Sequence, residues 1–217
     1  MRIKSFVCNR NQTNTYVISD EMSHETIIVD CGCCSDFEFS RISKYIDEEK
    51  LIVKHSFCTH LHFDHMWGQS FIHEKYGIET IASTQDKYNL EWNRMCSVFM
   101  NMTEKEKELL GYNSFIWLSN TFPNIYLGDM VFDIISSPGH SLGSISLYNE
   151  LKGVLFCGDV IFENGYGRTD FEGGNIEQLK NSIKEILNLP NKVIVFPGHG
   201  NSFTVGERKQ TYKNYTL

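Results

Sequence analysis

Short apolar runs, each closed by turn-forming residues, recur along the chain. They predict strands at 2–8, 15–19, 26–30, 51–58, 79–82, 130–136, 144–148, 153–157 and 193–196. The polar stretch 9–14 reads as the turn between the first two, and 144–148 and 153–157 pair naturally as a hairpin. Phe39, Ile42, Tyr45 and Ile46 repeat at three-four spacing and predict an amphipathic helix over 37–50. A helical pattern at 66–76 stops at Gly77, and 176–187 turns Leu179, Ile183, Ile186 and Leu187 inward. Residues 84–122 are the least regular. There 104–110 is charged and helix-forming, while Trp92, Met95, Phe99, Met100, Phe115 and Trp117 are scattered and most are expected to pack on the core. Neither a low-complexity segment nor a Pro, Gly or Ser-rich linker interrupts the pattern. It predicts one compact domain over 1–217, made of two similar β-rich halves with helices outside.

The strand at 51–58 delivers a dense group of ligand-type residues, Thr59-His60-Leu61-His62-Phe63-Asp64-His65. A spacing of two places His60 and His62 on one side of an extended segment, though nearly on opposite sides of a helix. Asp64 and His65 follow where a helix begins. One pair can hold one metal ion and the next pair a second. Imidazole and carboxylate suit zinc, and also iron or manganese. His140, Asp159 and His199 arrive later, each after an apolar strand and beside glycine. That repetition predicts a site where strand ends converge. His24, His55 and His73 fall outside the motifs and read as surface or strand histidines.

Composition narrows the class. With 217 residues, 41% hydrophobic and 22% charged, the chain suits an ordinary globular protein. A net charge of −7 argues against a general grip on nucleic acid. No apolar run approaches the ~20 residues of a membrane helix, and Met1 to Phe6 lacks the features of a signal peptide. A cytoplasmic protein acting on a small-molecule substrate is expected, with neither nucleic acid nor membrane as partner. The seven cysteines are an odd number without framework spacing and read as reduced thiols, the dense group Cys31, Cys33 and Cys34 included.

Taken together, these motifs resemble those of the metallo-β-lactamase-fold hydrolases, and within them the short glyoxalase II-like branch. The resemblance covers nearly the whole chain. It rests on Gln12-Thr13-Asn14-Thr15-Tyr16, on Thr59 to His65, on Pro138-Gly139-His140-Ser141 and on Gly158-Asp159. Gly167-Arg168-Thr169-Asp170-Phe171 and Pro197-Gly198-His199-Gly200 complete it. It implies an α+β fold of four layers, αββα, in which two mixed sheets are sandwiched by helices. It also implies two divalent metal ions, most often zinc, with iron and manganese as known substitutes. His60, His62 and His140 would take one ion, Asp64, His65 and His199 the other, and Asp159 would bridge them. Cys31 and Asn201 stand where the family usually has proline, so local loop changes are expected. Full-length glyoxalase II carries a helical C-terminal extension that helps bind glutathione. This chain is read to Leu217, eighteen residues past His199, so a glutathione thioester is not assumed as its natural substrate.

The expected chemistry is metal-dependent hydrolysis of a thioester or related ester by a metal-bridging hydroxide, with Asp64 as ligand and as acceptor for that hydroxide. Thr59, Ser141 and Asp170 are positioned to orient imidazoles. Arg168 has two readings, a contact to an anionic substrate group or a tie from its loop to Asp170; the second is the simpler. Competing expectations are a persulfide dioxygenase with one iron on the same fold, and a metal-binding protein without catalysis. The zinc lactamases most like this pattern have cysteine at the place of Asp159. Flavin-linked diiron reductases have glutamate at the place of His62. An acidic chain without a basic insert disfavours a nuclease.

Overall fold

The strand-like runs are strands in the computed structural model, which describes residues 1–119 and 121–212. The first sheet contains β1 (Arg2–Cys8), β2 (Thr13–Ser19), β3 (Glu25–Val29), β4 (Ile52–Phe57), β5 (Thr80–Ser83) and β6 (Phe115–Leu118), in that order. Next along the chain come β7 (Ile125–Leu127), β8 (Met130–Ser136), β9 (Ile145–Asn149) and β10 (Val154–Gly158). A small ribbon, β11 (Ile161–Phe162) with β12 (Gly165–Tyr166), precedes β13 (Ile194–Pro197) and β14 (Phe203–Thr204). The second sheet has the order β14-β13-β10-β9-β8-β7. Both sheets are mixed. β3 to β6 run parallel in the first, β10 and β13 in the second, and the other pairs are antiparallel.

The sheets meet face to face. Tyr16, Ile18, Ile27, Val29 and Phe57 of the first pack with Phe132, Ile134, Leu147 and Phe156 of the second. On its outer face the first sheet is covered by α1 (Asp36–Glu48) and α3 (Gln69–Tyr76), which follows the short α2 (Phe63–Met66). There Val17 and Ile28 meet Ile42, Ile46, Phe71 and Ile72. The second sheet is covered by α6 (Ile176–Asn188), whose Leu179, Ile183 and Ile186 pack on Leu155, Cys157 and Val195. The result is the four-layer αββα sandwich. It explains why Ile27, Ile28 and Val29 are apolar without alternation, since β3 is buried on both faces. Among the described residues, no helix is long and apolar enough to cross a membrane.

Two differences from the sequence reading bear on the site. The helix expected at 66–76 begins at Phe63 and breaks before Gln69. The break is at Gly68, whose backbone N–H donates to the Cys31 carbonyl at 2.8 Å and which packs so close to Cys31 that a β-carbon would overlap it. The irregular 84–122 stretch contains α4 (Tyr88–Phe99), α5 (Glu104–Leu109) and β6. A capping box of Thr103 and Glu106 starts α5. α4 escapes the pattern because its buried positions are Asn89, Asn93 and Ser97, so no apolar stripe points inward. Phe115 is buried as expected, but Met95, Phe99 and Met100 are exposed and form no part of the core.

Phe132 is fully buried between the sheets. Phe132→Ala is expected to cost about 3–5 kcal/mol in urea unfolding, whereas Met22→Ala, at an exposed turn, should change stability by under about 0.5 kcal/mol.

Candidate metal centre

The ligand-type residues converge because each follows the end of a strand. β4 leads to His60 in a bend and His62 in extended backbone, then to Asp64 and His65 on α2. The loop after β8 carries His140, the end of β10 carries Asp159, and the end of β13 carries His199. Donor atoms from His60, His62 and His140 lie within 4.8 Å of one another, as do those from Asp64, His65 and His199. Asp159 stands between the two groups. Its Oδ2 is 3.6 Å from His140 Nε2 and 3.4 Å from His199 Nε2, and its Oδ1 is 3.5 Å from His65 Nε2. All seven residues named from the sequence are therefore brought together.

The hydrogen-bond pattern tests whether this cluster fits a cation. His140 Nδ1 lies 2.8 Å from the Arg168 carbonyl, which only accepts, so the proton sits on Nδ1 and Nε2 presents a lone pair. Thr59 Oγ1 donates to Asp30 Oδ2 at 2.7 Å, which leaves it to accept from His60 Nδ1 at 3.1 Å. His65 Nδ1 is 3.0 Å from the same Asp30 oxygen. The Nε2 atoms of His60, His65 and His140 are thus turned into one space. His60 Nε2 and Asp159 Oδ1 are buried without a hydrogen-bond partner. His62 Nδ1 and His140 Nε2 face each other at 2.9 Å. Buried nitrogens and carboxylates that converge on one space are a donor set suited to divalent metal.

Charge follows the same geometry. Burial pushes His60 down, and it pushes His62 down to about 3, so both are neutral. Burial also opposes protonation of His65, but Asp159, Asp64 and Asp30 together outweigh it and raise its pKa. His199 is likewise raised, to about 10, by Asp159 and Asp64 against the opposing effect of burial. Burial disfavours the charged forms of Asp64 and Asp159, yet His65 and His199 hold both carboxylates below their ordinary range. Without metal, protons on His65 and His199 therefore balance the two carboxylates at neutral pH.

Three residues that build this centre were given no role in it by the sequence. Asp30 accepts from the Thr59 backbone N–H, the Thr59 hydroxyl and His65. Its place after an apolar strand was the same signal that marked the other ligand-type residues. Thr13 donates to Asp64 Oδ2 at 3.0 Å. Asp86 accepts from Leu61 N, Gly143 N and Ser141 Oγ, tying the turn that carries His60 and His62 to the loop that carries His140. Thr59 does orient an imidazole. Ser141 acts only through Asp86, and Asp170 reaches none of the histidines. Instead, Asp170 grips Arg168 Nε and Nη2, both at 2.6 Å, and the guanidinium lies 3.9 Å from the centre of the Phe171 ring. Gly198 packs against the centre so closely that a β-carbon there would overlap the Asp159 carboxylate and the His65 ring.

The cluster opens into a cleft of about 410 Å³, whose other walls include Asn11, Phe63, Met100, Phe162, Arg168 and Phe171. A larger groove of about 750 Å³ between α6 and α7 (Val205–Tyr212) shares none of the cluster residues.

This fold and this donor set define a class, the metallo-β-lactamase-type metal proteins. The chain belongs to the metallo-beta-lactamase superfamily, whose family profile matches residues 8–199. It is 30% identical over 218 residues to the hydroxyacylglutathione hydrolase GloC of Haemophilus influenzae, covering 97% of this chain and 96% of that one. Its structure superposes on that of BLEG-1, a B3 metallo-beta-lactamase, with a TM-score of 0.83 at 30% identity, covering 96% of this chain and 97% of the other. It also resembles the structure of ETHE1 from Myxococcus xanthus, with a TM-score of 0.74 at 25% identity and coverage of 97% and 82%.

The charge balance predicts that divalent metal displaces protons. Titration calorimetry in buffers of different ionisation enthalpy should show net proton release, and affinity should fall as pH falls. The metal-free protein carries the opposite signature. His199 is raised from 6.5 to about 10, so the stability it contributes is complete below pH 6.5 and is lost as pH rises through 10. Melting of chelator-treated protein should therefore fall between those limits. Asp30→Asn should keep the fold but weaken metal binding by about 10–100-fold, read by competition with a chromogenic chelator.

Proposed function

We propose that this chain is a metal-dependent hydrolase of thioesters or related esters. The observation that carries the reading is the convergence of the seven histidine and aspartate side chains, with Asp159 between two donor groups, at the base of an open cleft. The end-to-end similarity to a hydroxyacylglutathione hydrolase supports the thioester class. In this reading His60, His62 and His140 hold one ion, Asp64, His65 and His199 hold a second, and Asp159 serves both. Zinc is the first choice for that donor set, with iron or manganese as substitutes. Divalent ions bound there supply hydroxide at neutral pH and an electrophilic partner for a carbonyl oxygen.

The chain's own groups do the rest. Thr13 holds the Asp64 carboxylate, which accepts the hydrogen of the attacking water and so directs its lone pair. Asp30 and Thr59 keep the His60 and His65 rings in one tautomer and one orientation. Phe63, Phe162 and Phe171 reduce water access around the reacting carbonyl. One water is consumed. Its oxygen joins the acyl carbon, the carbon–sulfur bond breaks with its electron pair leaving on sulfur, one water proton passes through Asp64 to solvent, and the other stays on the acid product until that ionises. A thiolate leaves without a strong acid, which suits a cleft where no free acid faces the centre among the described residues. Arg168, gripped by Asp170 yet half-exposed at the cleft, is available to an anionic substrate group at its remaining nitrogen.

Metal content of protein purified without added metal, with S-lactoylglutathione turnover on the same sample, tests the reading. Near two zinc ions per chain with turnover is the expected result. Asp64→Ala should lower kcat by at least about 100-fold with the circular dichroism spectrum unchanged. Near one iron per chain, no turnover and oxygen uptake on glutathione persulfide would instead favour the dioxygenase alternative. Nitrocefin hydrolysis on the same sample tests the activity that the BLEG-1 likeness raises.

A further inference from the structure

α4 is amphipathic in the reverse sense. Its inward positions are Asn89, Asn93 and Ser97, whereas Met95, Val98 and Phe99 are 57%, 71% and 85% exposed. The inward polarity has a cause. Asn93 Nδ2 donates to the Leu61 carbonyl at 2.8 Å, in the turn between His60 and His62, so the helix is a hydrogen-bonding brace for the candidate metal centre. The outward apolarity has no such use within the described residues.

That face is continuous with the cleft. Met100, at the end of α4, lines the cleft wall with Phe171. The Phe171 ring is 5.7 Å from the His62 ring and 6.3 Å from the Trp92 ring on α4. Helical periodicity puts Phe99 on the same side of α4 as Trp92, seven residues and about 10 Å of axis further on. An apolar path therefore starts at His62, crosses Phe171 and Trp92, and continues to Met100 and Phe99. Arg168, paired with Asp170 and 3.9 Å from the centre of the Phe171 ring, puts a polar edge beside this path at the cleft.

We infer that this path is an acyl subsite, and that the substrate is a thioester or ester with an extended, unbranched apolar acyl chain. The inference rests on the hydrolase reading above and narrows it. The carbonyl lies at the histidines and the chain runs over Phe171 toward Trp92 and Phe99. The thiol carriers of biological thioesters are polar, so the acyl group is the half that an apolar path selects. Burying methylenes along it strengthens binding by up to about fourfold for each one.

The test is a series of straight-chain acyl thioesters of one thiol, from acetyl to decanoyl. Wild-type kcat/KM should rise at least about twofold per added methylene. Phe99→Ser, at an exposed position that carries no folding load, and Trp92→Ala should flatten that slope while leaving the acetyl rate within about twofold. A flat wild-type slope, or a slope untouched by both variants, overturns the inference. If no thioester is hydrolysed, the hydrolase reading fails on its own, and the subsite is judged by a second measurement. Straight-chain carboxylates from acetate to decanoate are titrated against tryptophan fluorescence, with Trp92→Phe identifying the responding ring. Affinity that climbs with chain length and is lost in Phe99→Ser supports the subsite; affinity independent of length overturns it. Sedimentation of wild type and Phe99→Ser examines a second copy of the chain as the occupant. A dimer that the substitution dissolves, with the length dependence unchanged, likewise overturns the inference.

Discussion

The carboxylate of Asp30 is the constraint on which the candidate metal centre depends. One oxygen takes the Thr59 backbone N–H, and the other takes the Thr59 hydroxyl and the His65 ring. Through Thr59 it also fixes the tautomer of His60. A single buried charge at the end of β3 thus sets the start of the ligand-bearing turn, one ring from each donor group and the direction of their lone pairs. The position requires φ of +52°, a left-handed conformation that aspartate tolerates better than most residues. Removing that acceptor would leave two imidazoles free to flip and a threonine unpaired in a site with no water-facing alternative.

Asp86 does for the loops what Asp30 does for the rings. Its three accepted hydrogen bonds join residue 61 to residues 141 and 143 across the gap between the two sheets. Burial raises the Asp86 pKa, and the hydrogen bonds from Leu61, Ser141 and Gly143 oppose that rise. Asn93 adds a third tie, from α4 to the same turn. The histidines are therefore held by polar groups from three directions, and the hydrophobic core contributes mainly the sheet ends on which they stand.

Much of this was legible in the sequence, for a local reason. A dense group of ligand-type residues straight after a strand marked His60, His62, Asp64 and His65, and a ligand-type residue beside glycine after a strand marked His140, Asp159 and His199, both patterns confined to a few consecutive positions. Nine of the strands, with α1 and α6, were legible because their apolar runs and periodicities are strong, whereas the two-sheet arrangement came from the family resemblance and the short strands β6, β7, β11, β12 and β14 went unmarked. What escaped is what depends on distant partners. Asp86 looks like any turn residue until Leu61 and Gly143 are brought to it. Asp170 carried two readings, and the tie to Arg168 favoured in the sequence is the one present, because that guanidinium takes both its oxygens and leaves none for an imidazole. α4 was invisible because its inward face was chosen for hydrogen bonding and its outward face for something other than the core.

The close approach of Gly198 to Asp159 and His65 divides the protein into two regimes of change. No other residue fits at 198 without displacing the centre, and the strand ends around it are similarly crowded, so sequence drift there is closed off. The outward face of α4 is under no such restraint, since Met95, Val98 and Phe99 extend into open space. Variation accumulating along that rim would alter what enters while the donor atoms stay in place. One scaffold can then diverge in selectivity by substitutions that never pass through an inactive ancestor.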